Sequence, residues 1–124
     1  MLGYVTLGSN DLARATAFYD KLSAEFGGKR LLELPEGKGV FYGRSMAEAG
    51  LLIRTPFNEQ PATVGNGVMA ALAATDTAMV DRVHAAALAL GATDEGAPGQ
   101  RTDFFYGAYF RDLDGNKLAV YVFI

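Results

Sequence analysis

The chain has 124 residues, half of them apolar and a fifth charged, with a net charge of −3 and no cysteine. That length supports a real hydrophobic core, and the apolar share excludes general disorder. The mixed charge excludes a basic nucleic-acid face, and the missing cysteines exclude disulfides, thiolate metal sites and a cysteine nucleophile.

Asp11 and Arg14 interrupt any apolar run after Met1, so no secretory leader is expected there. No apolar run approaches the ~18 residues that would span a bilayer. A cytoplasmic location is the expectation. Tyr4, Val5, Thr6 and Leu7 alternate as a half-buried strand should, with Val5 and Leu7 toward a helix layer. Ser9, Asn10 and Asp11 then offer side-chain oxygens to the free amides of a helix start. Leu12, Ala15, Phe18, Tyr19, Leu22 and Phe26 recur at steps of three and four, predicting a helix over 11–26 that Gly27 and Gly28 end. Strands are expected at 30–34, 40–44 and 51–54, separated by glycine-rich connections.

Residues 56–66 (PFNEQPATVGN) carry two prolines and no periodicity. They mark the boundary between two halves of a single domain: module one at 1–56, linker at 57–66, module two at 67–124. The second half repeats the first. A strand is expected over 67–73 and a helix over 76–90, with Met79, Val80, Val83, Ala86, Ala87 and Leu90 inward and Gly91 as its stop. Residues 92–94 read as a short edge strand, and 95–100 read as a loop by composition. Strands at 104–111 and 117–123 flank an Asp-Gly turn.

The run GSNDLARATAFYDKL after the first strand and YFRDLDGNKLAVY near the end resemble the vicinal oxygen chelate superfamily of glyoxalases, bleomycin-resistance proteins and extradiol dioxygenases. The resemblance covers nearly the whole chain. It implies an α+β fold of two paired βαβββ modules, a curved mixed sheet around a central cleft, helices on the outer face, and a homodimer. Metal-dependent members place His, Glu or related donors on cleft strands, where a divalent ion polarises two neighbouring oxygens or binds dioxygen. Carried over position by position, those donors fall at Tyr4 or an immediate neighbour, at Met69 and at Ala119, and the last strand of the first module offers only Leu51, Leu52, Ile53 and Arg54, none of them a metal donor. A neutral phenol, a thioether and a methyl are poor ligands for a hard divalent ion. No metal and no cofactor are therefore expected.

Alternation directs Tyr4 and Thr6 into the cleft from the first strand, and Met69, Ala71 and Ala73 from the second module's first strand. Phe105, Tyr109, Lys117, Ala119 and Tyr121 join them from the final hairpin, while Tyr106 and Phe110 go to the helix side. Arg54 is positioned either to hold a substrate carboxylate through paired donors or to pair with Glu33, Asp103 or solvent. Tyr42 and Arg44 have the same status. The candidate ligand-binding set is Tyr4, Thr6, Tyr42, Arg54, Met69, Phe105, Tyr109, Ala119 and Tyr121. The same letters would also serve a cleft packed shut by its own side chains. His84, mid-helix, reads as a helix-flank side chain, and Asp112 and Asp114 read as turn formers.

Three functions compete, beside a weaker fourth, a subunit whose main role is pairing with another chain. The first is a metal-free protein binding a small, partly aromatic molecule in an apolar cleft. The second is a metal-dependent lyase of the lactoylglutathione-lyase type, or a dioxygenase. The third is a metal-free enzyme using Tyr4 or Tyr109 as acid or base, which would need a nearby cation such as Arg54 or Lys117. A small-molecule ligand is expected in each case, and neither nucleic acid nor membrane is an expected partner.

Overall fold

The computed structural model describes residues 1–124, which divide into two compact units, Met1–Gly65 and Asn66–Ile124. Each unit is a four-stranded sheet with one helix, in the same order along the chain. No helix is long and apolar enough to cross a membrane.

The first unit runs β1 (Tyr4–Gly8), α1 (Leu12–Ala24), β2 (Lys29–Glu33), a single 3-10 turn at Pro35–Gly37, β3 (Gly39–Gly43) and β4 (Gly50–Arg54). Its sheet has the order β1-β4-β3-β2, with β1 and β4 parallel and the other pairs antiparallel. The Asp11 carboxylate accepts from the Arg14 amide at 3.1 Å and caps α1. Ala15, Phe18, Tyr19 and Leu22 form the buried stripe of the helix. Leu7, Val40, Tyr42 and Ile53 are buried with them, so one face of the sheet is closed by the helix.

That register corrects the expectation for Tyr42. Tyr42 pairs with Leu51 on the helix face, is 2% exposed, and shares its hydroxyl between the Thr16 carbonyl and Asp20 Oδ1 at 2.8 Å. Arg30 closes the cluster with two bonds to the Asp20 carboxylate, at 2.7 and 2.9 Å, and a third to Glu33. Burial, then the bond to Asp20, pushes the Tyr42 phenol well above its ordinary range. Tyr42 thus anchors the helix and is buried on the sheet face opposite Tyr4 and Thr6. Tyr42→Phe is expected to lower unfolding stability by about 1–2 kcal/mol in urea melts.

Arg30 also gives the first unit a pH dependence. Its hydrogen bond holds the Asp20 carboxyl below the usual carboxylate range. A depressed folded-state pKa contributes stability that is present above the unfolded value and is lost as pH falls through the folded value. Asp20→Asn should therefore be less stable than wild type at neutral pH. The gap between their urea midpoints should close as the pH drops below ~4.

The second unit runs β5 (Ala70–Ala73), α2 (Thr77–Ala89), β6 (Thr93–Thr102), β7 (Phe105–Arg111) and β8 (Lys117–Phe123), in the sheet order β5-β8-β7-β6. Asp76 caps α2 through the Met79 amide at 2.7 Å. Val80, Val83, Ala87, Ala108, Phe110, Leu118 and Val120 have no accessible surface and form the core. Gly27 and Gly91, at φ 74° and 104°, stop the chain after the two helices in the left-handed region that glycine adopts without steric cost.

Two sequence expectations change here. Strand β5 begins at Ala70, and Val68 and Met69 before it are exposed. The 95–100 segment is strand rather than loop: β6 continues to Thr102 as the sheet edge, with register shifts at Asp94/Gly96, Gly96/Gly99 and Gln100/Thr102. An edge strand pairs on one side only, so bulges accommodate its glycines and Pro98. His84 is buried, with Nε2 3.0 Å from Asp94 on that strand. Asp112 accepts from the amides of Asp114 and Asn116 at 2.9 Å each, closing the β7–β8 turn.

Candidate functional site

In the first unit, the residues that alternate with the helix-facing ones line the other side of the sheet. Tyr4, Thr6 and Gly8 pair with Gly50, Leu52 and Arg54 across the parallel β1–β4 ladder. Phe41 and Gly39 continue the same rows into β3. Leu52 and Phe41 are buried and form an apolar floor, while Tyr4 and Thr6 are exposed. The Tyr4 ring stands edge-on to Phe41 at 5.4 Å, a geometry that aromatic quadrupoles favour.

The segment after β4 forms the wall. Residues 56–63 fold back beside β1 and, with Tyr4, Thr6, Leu52 and Arg54, enclose a half-open groove of about 480 Å³. Asn10 ties this strap down twice: its amide accepts from the Ala62 N–H at 2.7 Å and donates to the Ala62 carbonyl at 3.1 Å. Gly8 permits the approach, because a Cβ there would come within 2.9 Å of the Ala62 methyl. Lys38 and Glu59 pair at 3.2 Å on the outside. The prolines that mark 56–66 as a connection therefore also stiffen a wall of the groove. Asn10→Ala should release the strap, seen as faster amide exchange around residues 59–63.

Arg54 stands at one end of the groove. Its Nε donates to the Thr55 carbonyl at 2.8 Å, and its guanidinium lies 5.8 Å from the centre of the Phe57 ring. It pairs with neither Glu33, which takes Arg30, nor any other carboxylate. No acidic side chain lines the groove. A trough of mixed polar and apolar lining with one oriented cation can hold a flat body against its apolar parts and fix its orientation by a polar contact.

In the second unit, Phe105, Tyr109 and Tyr121 share the sheet face away from α2. The register sets Tyr109 opposite Ala119, Ala119 opposite Ala71, and Arg111 opposite Lys117. Phe105 and Tyr121 stack at 5.4 Å with their planes 2° apart, and Phe123 meets both edge-on. Arg101 and Lys117 lie over the Tyr109 ring at 5.4 and 5.5 Å. Ala119 has no accessible surface, so it supports its neighbours rather than offering surface itself. Tyr106 turns to the helix side, where its hydroxyl donates to Asp81 at 2.7 Å. Sequence reasoning names Tyr4, Thr6 and Arg54. It misses Asn10, the buried floor and the strap, because only the fold brings positions 10 and 62 together.

Two units, each a β1-β4-β3-β2 type sheet carrying one helix, are the architecture of the glyoxalase fold. A family model described as Glyoxalase/Bleomycin resistance protein/Dioxygenase superfamily matches residues 1–120, and the chain belongs to that family. A glyoxalase/bleomycin resistance protein from Albidiferax ferrireducens is 38% identical, with 98% of each chain covered and a TM-score of 0.86. A lactoylglutathione lyase from Agrobacterium tumefaciens is 29% identical over 98% of this chain and 92% of its own, with a TM-score of 0.70. An antibiotic binding protein from a Streptomyces species shares the fold at 21% identity, covering 100% and 96% of the two chains, with a TM-score of 0.71. Among curated proteins none matches.

The donors that metal-dependent members require do not fit this chain. The positions named for them carry Tyr4, Met69 and Ala119. Nowhere do three or more His, Cys, Asp or Glu side chains stand together in a way that could hold an ion. His84, the one imidazole, is committed to Asp94 beside α2.

Proposed function

We propose that the protein is a metal-free member of its family that binds a small, partly aromatic molecule in the groove of its first unit. The observation that carries this reading is the groove itself: an open trough of about 480 Å³, with an apolar floor at Leu52 and an unpaired cation at its end. Its volume falls within the ~300–1,000 Å³ range of small-molecule sites. Tyr4, Thr6 and Arg54 are the proposed contacts there. Met69, Phe105, Tyr109 and Tyr121 are proposed contacts on the second unit. A cytoplasmic homodimer completes the proposal, with light scattering after size exclusion as the check on the dimer.

Lactoylglutathione-lyase activity, after the name of the Agrobacterium relative, is the competing reading. The donor chemistry opposes it, since Ala119 offers no ligand atom and Met69 offers only a thioether. The test is a fluorescence titration with N-phenylnaphthylamine, which brightens in apolar sites, alongside a thermal-shift screen of amphipathic aromatic compounds. Saturable binding with a raised Tm is expected. No binding and no shift across the panel would rule the reading out.

A further inference from the structure

Arg54 differs from the other arginines of its unit. Arg14, Arg30 and Arg44 each lie within ion-pair distance of a carboxylate: Asp11 at 3.9 Å, Asp20 at 2.7 Å and Glu48 at 2.7 Å. Arg54 has none. Its side chain makes a single hydrogen bond, from Nε to the neighbouring Thr55 carbonyl. That bond and the Phe57 ring fix the plane of the guanidinium and leave its terminal nitrogens without a protein acceptor. Beside it, the Thr6 hydroxyl makes no hydrogen bond within the protein, and every other lining side chain is apolar or uncharged.

We infer that the ligand of this groove carries an oxyanion, a carboxylate or sulfonate, attached to a flat aromatic body, and that Arg54 grips the oxyanion while the body lies over Leu52 and against Tyr4. The inference rests on the groove being the binding site. A planar guanidinium presents a fork of donors matched to two oxygens, and charge-assisted bonds of this kind are about twice as strong as neutral ones. Because the fork is already oriented, little side-chain freedom is lost when the anion arrives. The absence of acidic lining residues removes both an internal competitor for Arg54 and a source of repulsion for the ligand. A cationic ligand is disfavoured for the same reason.

The experiment compares two fluorescent probes of one skeleton, neutral N-phenylnaphthylamine and anionic anilinonaphthalene sulfonate, on the full chain and on Arg54→Gln and Arg54→Lys. Circular dichroism checks that each variant is folded. Wild type is expected to bind the sulfonate about tenfold or more tightly than the neutral probe at low salt. In Arg54→Gln the ratio should fall to about one. In Arg54→Lys it should recover in part, since the charge returns without the fork. A wild-type ratio near one, with the neutral probe still binding, would overturn the inference and leave the groove reading intact. A ratio unchanged in Arg54→Gln would overturn it as well, by assigning the anion to another cation. Failure of both probes to bind would remove both readings together.

Discussion

Thr6→Trp is expected to weaken N-phenylnaphthylamine binding by about tenfold or more while leaving the melting temperature close to that of wild type. Thr6 sits over the centre of the groove, paired with Leu52 on the floor, and its side chain points away from α1. An indole there occupies the space in which a ligand ring would lie. Because Thr6 is exposed, the larger side chain needs no room in the core. A tenfold loss corresponds to ~1.4 kcal/mol, small beside the contact area an aromatic ring loses. Fluorescence titration and differential scanning calorimetry on the same preparation separate the two effects. Equal affinity in the variant would remove the groove from consideration as the probe's site.

The second large effect is on stability. Phe110→Ala is expected to cost about 3–5 kcal/mol, the range for deleting a buried ring and leaving a cavity. Phe110 has no accessible surface, faces α2, and stands edge-on to His84 at 6.5 Å. Its neighbours Ala108, Leu118 and Val120 are equally buried and held by two strands, so they cannot collapse into the space. A fall in Tm of roughly 10 °C or more should follow. The chain forms two compact units, so unfolding of the variant should be followed with probes in each.

The elements that were legible in the sequence share one property: their pattern contrasts apolar with polar positions. Helix α1 shows it through Ala15, Phe18, Tyr19 and Leu22, and α2 through Met79, Val80, Val83 and Ala87. The β7–β8 hairpin is readable from its Asp-Gly turn, which fixes Tyr109 opposite Ala119. Strand β3 gives no such contrast. Val40 and Tyr42 face the helix and Phe41 the opposite side of the sheet, and all three are buried, so alternation could not say which way Tyr42 points. Strand β6 hides for another reason. Its bulges break the period of two, and its glycines and Pro98 imitate a loop. The groove was half legible. Tyr4, Thr6 and Arg54 follow from alternation on two strands, whereas the strap depends on Asn10 meeting Ala62 across 52 positions. No local pattern reports a contact of that kind.

Fold and family alone leave the chemistry open, because relatives with one architecture carry different activities. The proposed metal-free reading rests on the identity of three side chains, Tyr4, Met69 and Ala119, and on the lack of any group of three or more His, Cys, Asp or Glu side chains that could hold an ion. Metal binding by protein therefore decides the matter most directly. The protein, first stripped with chelator and dialysed, is titrated calorimetrically with zinc, nickel and manganese, and its metal content is then measured by elemental analysis. Less than a tenth of an equivalent of each ion should remain bound, with no saturable heat, as a chain without a ligand set requires. One equivalent of any of these ions retained through dialysis, and lost on replacing side chains of either open sheet face, would contradict it.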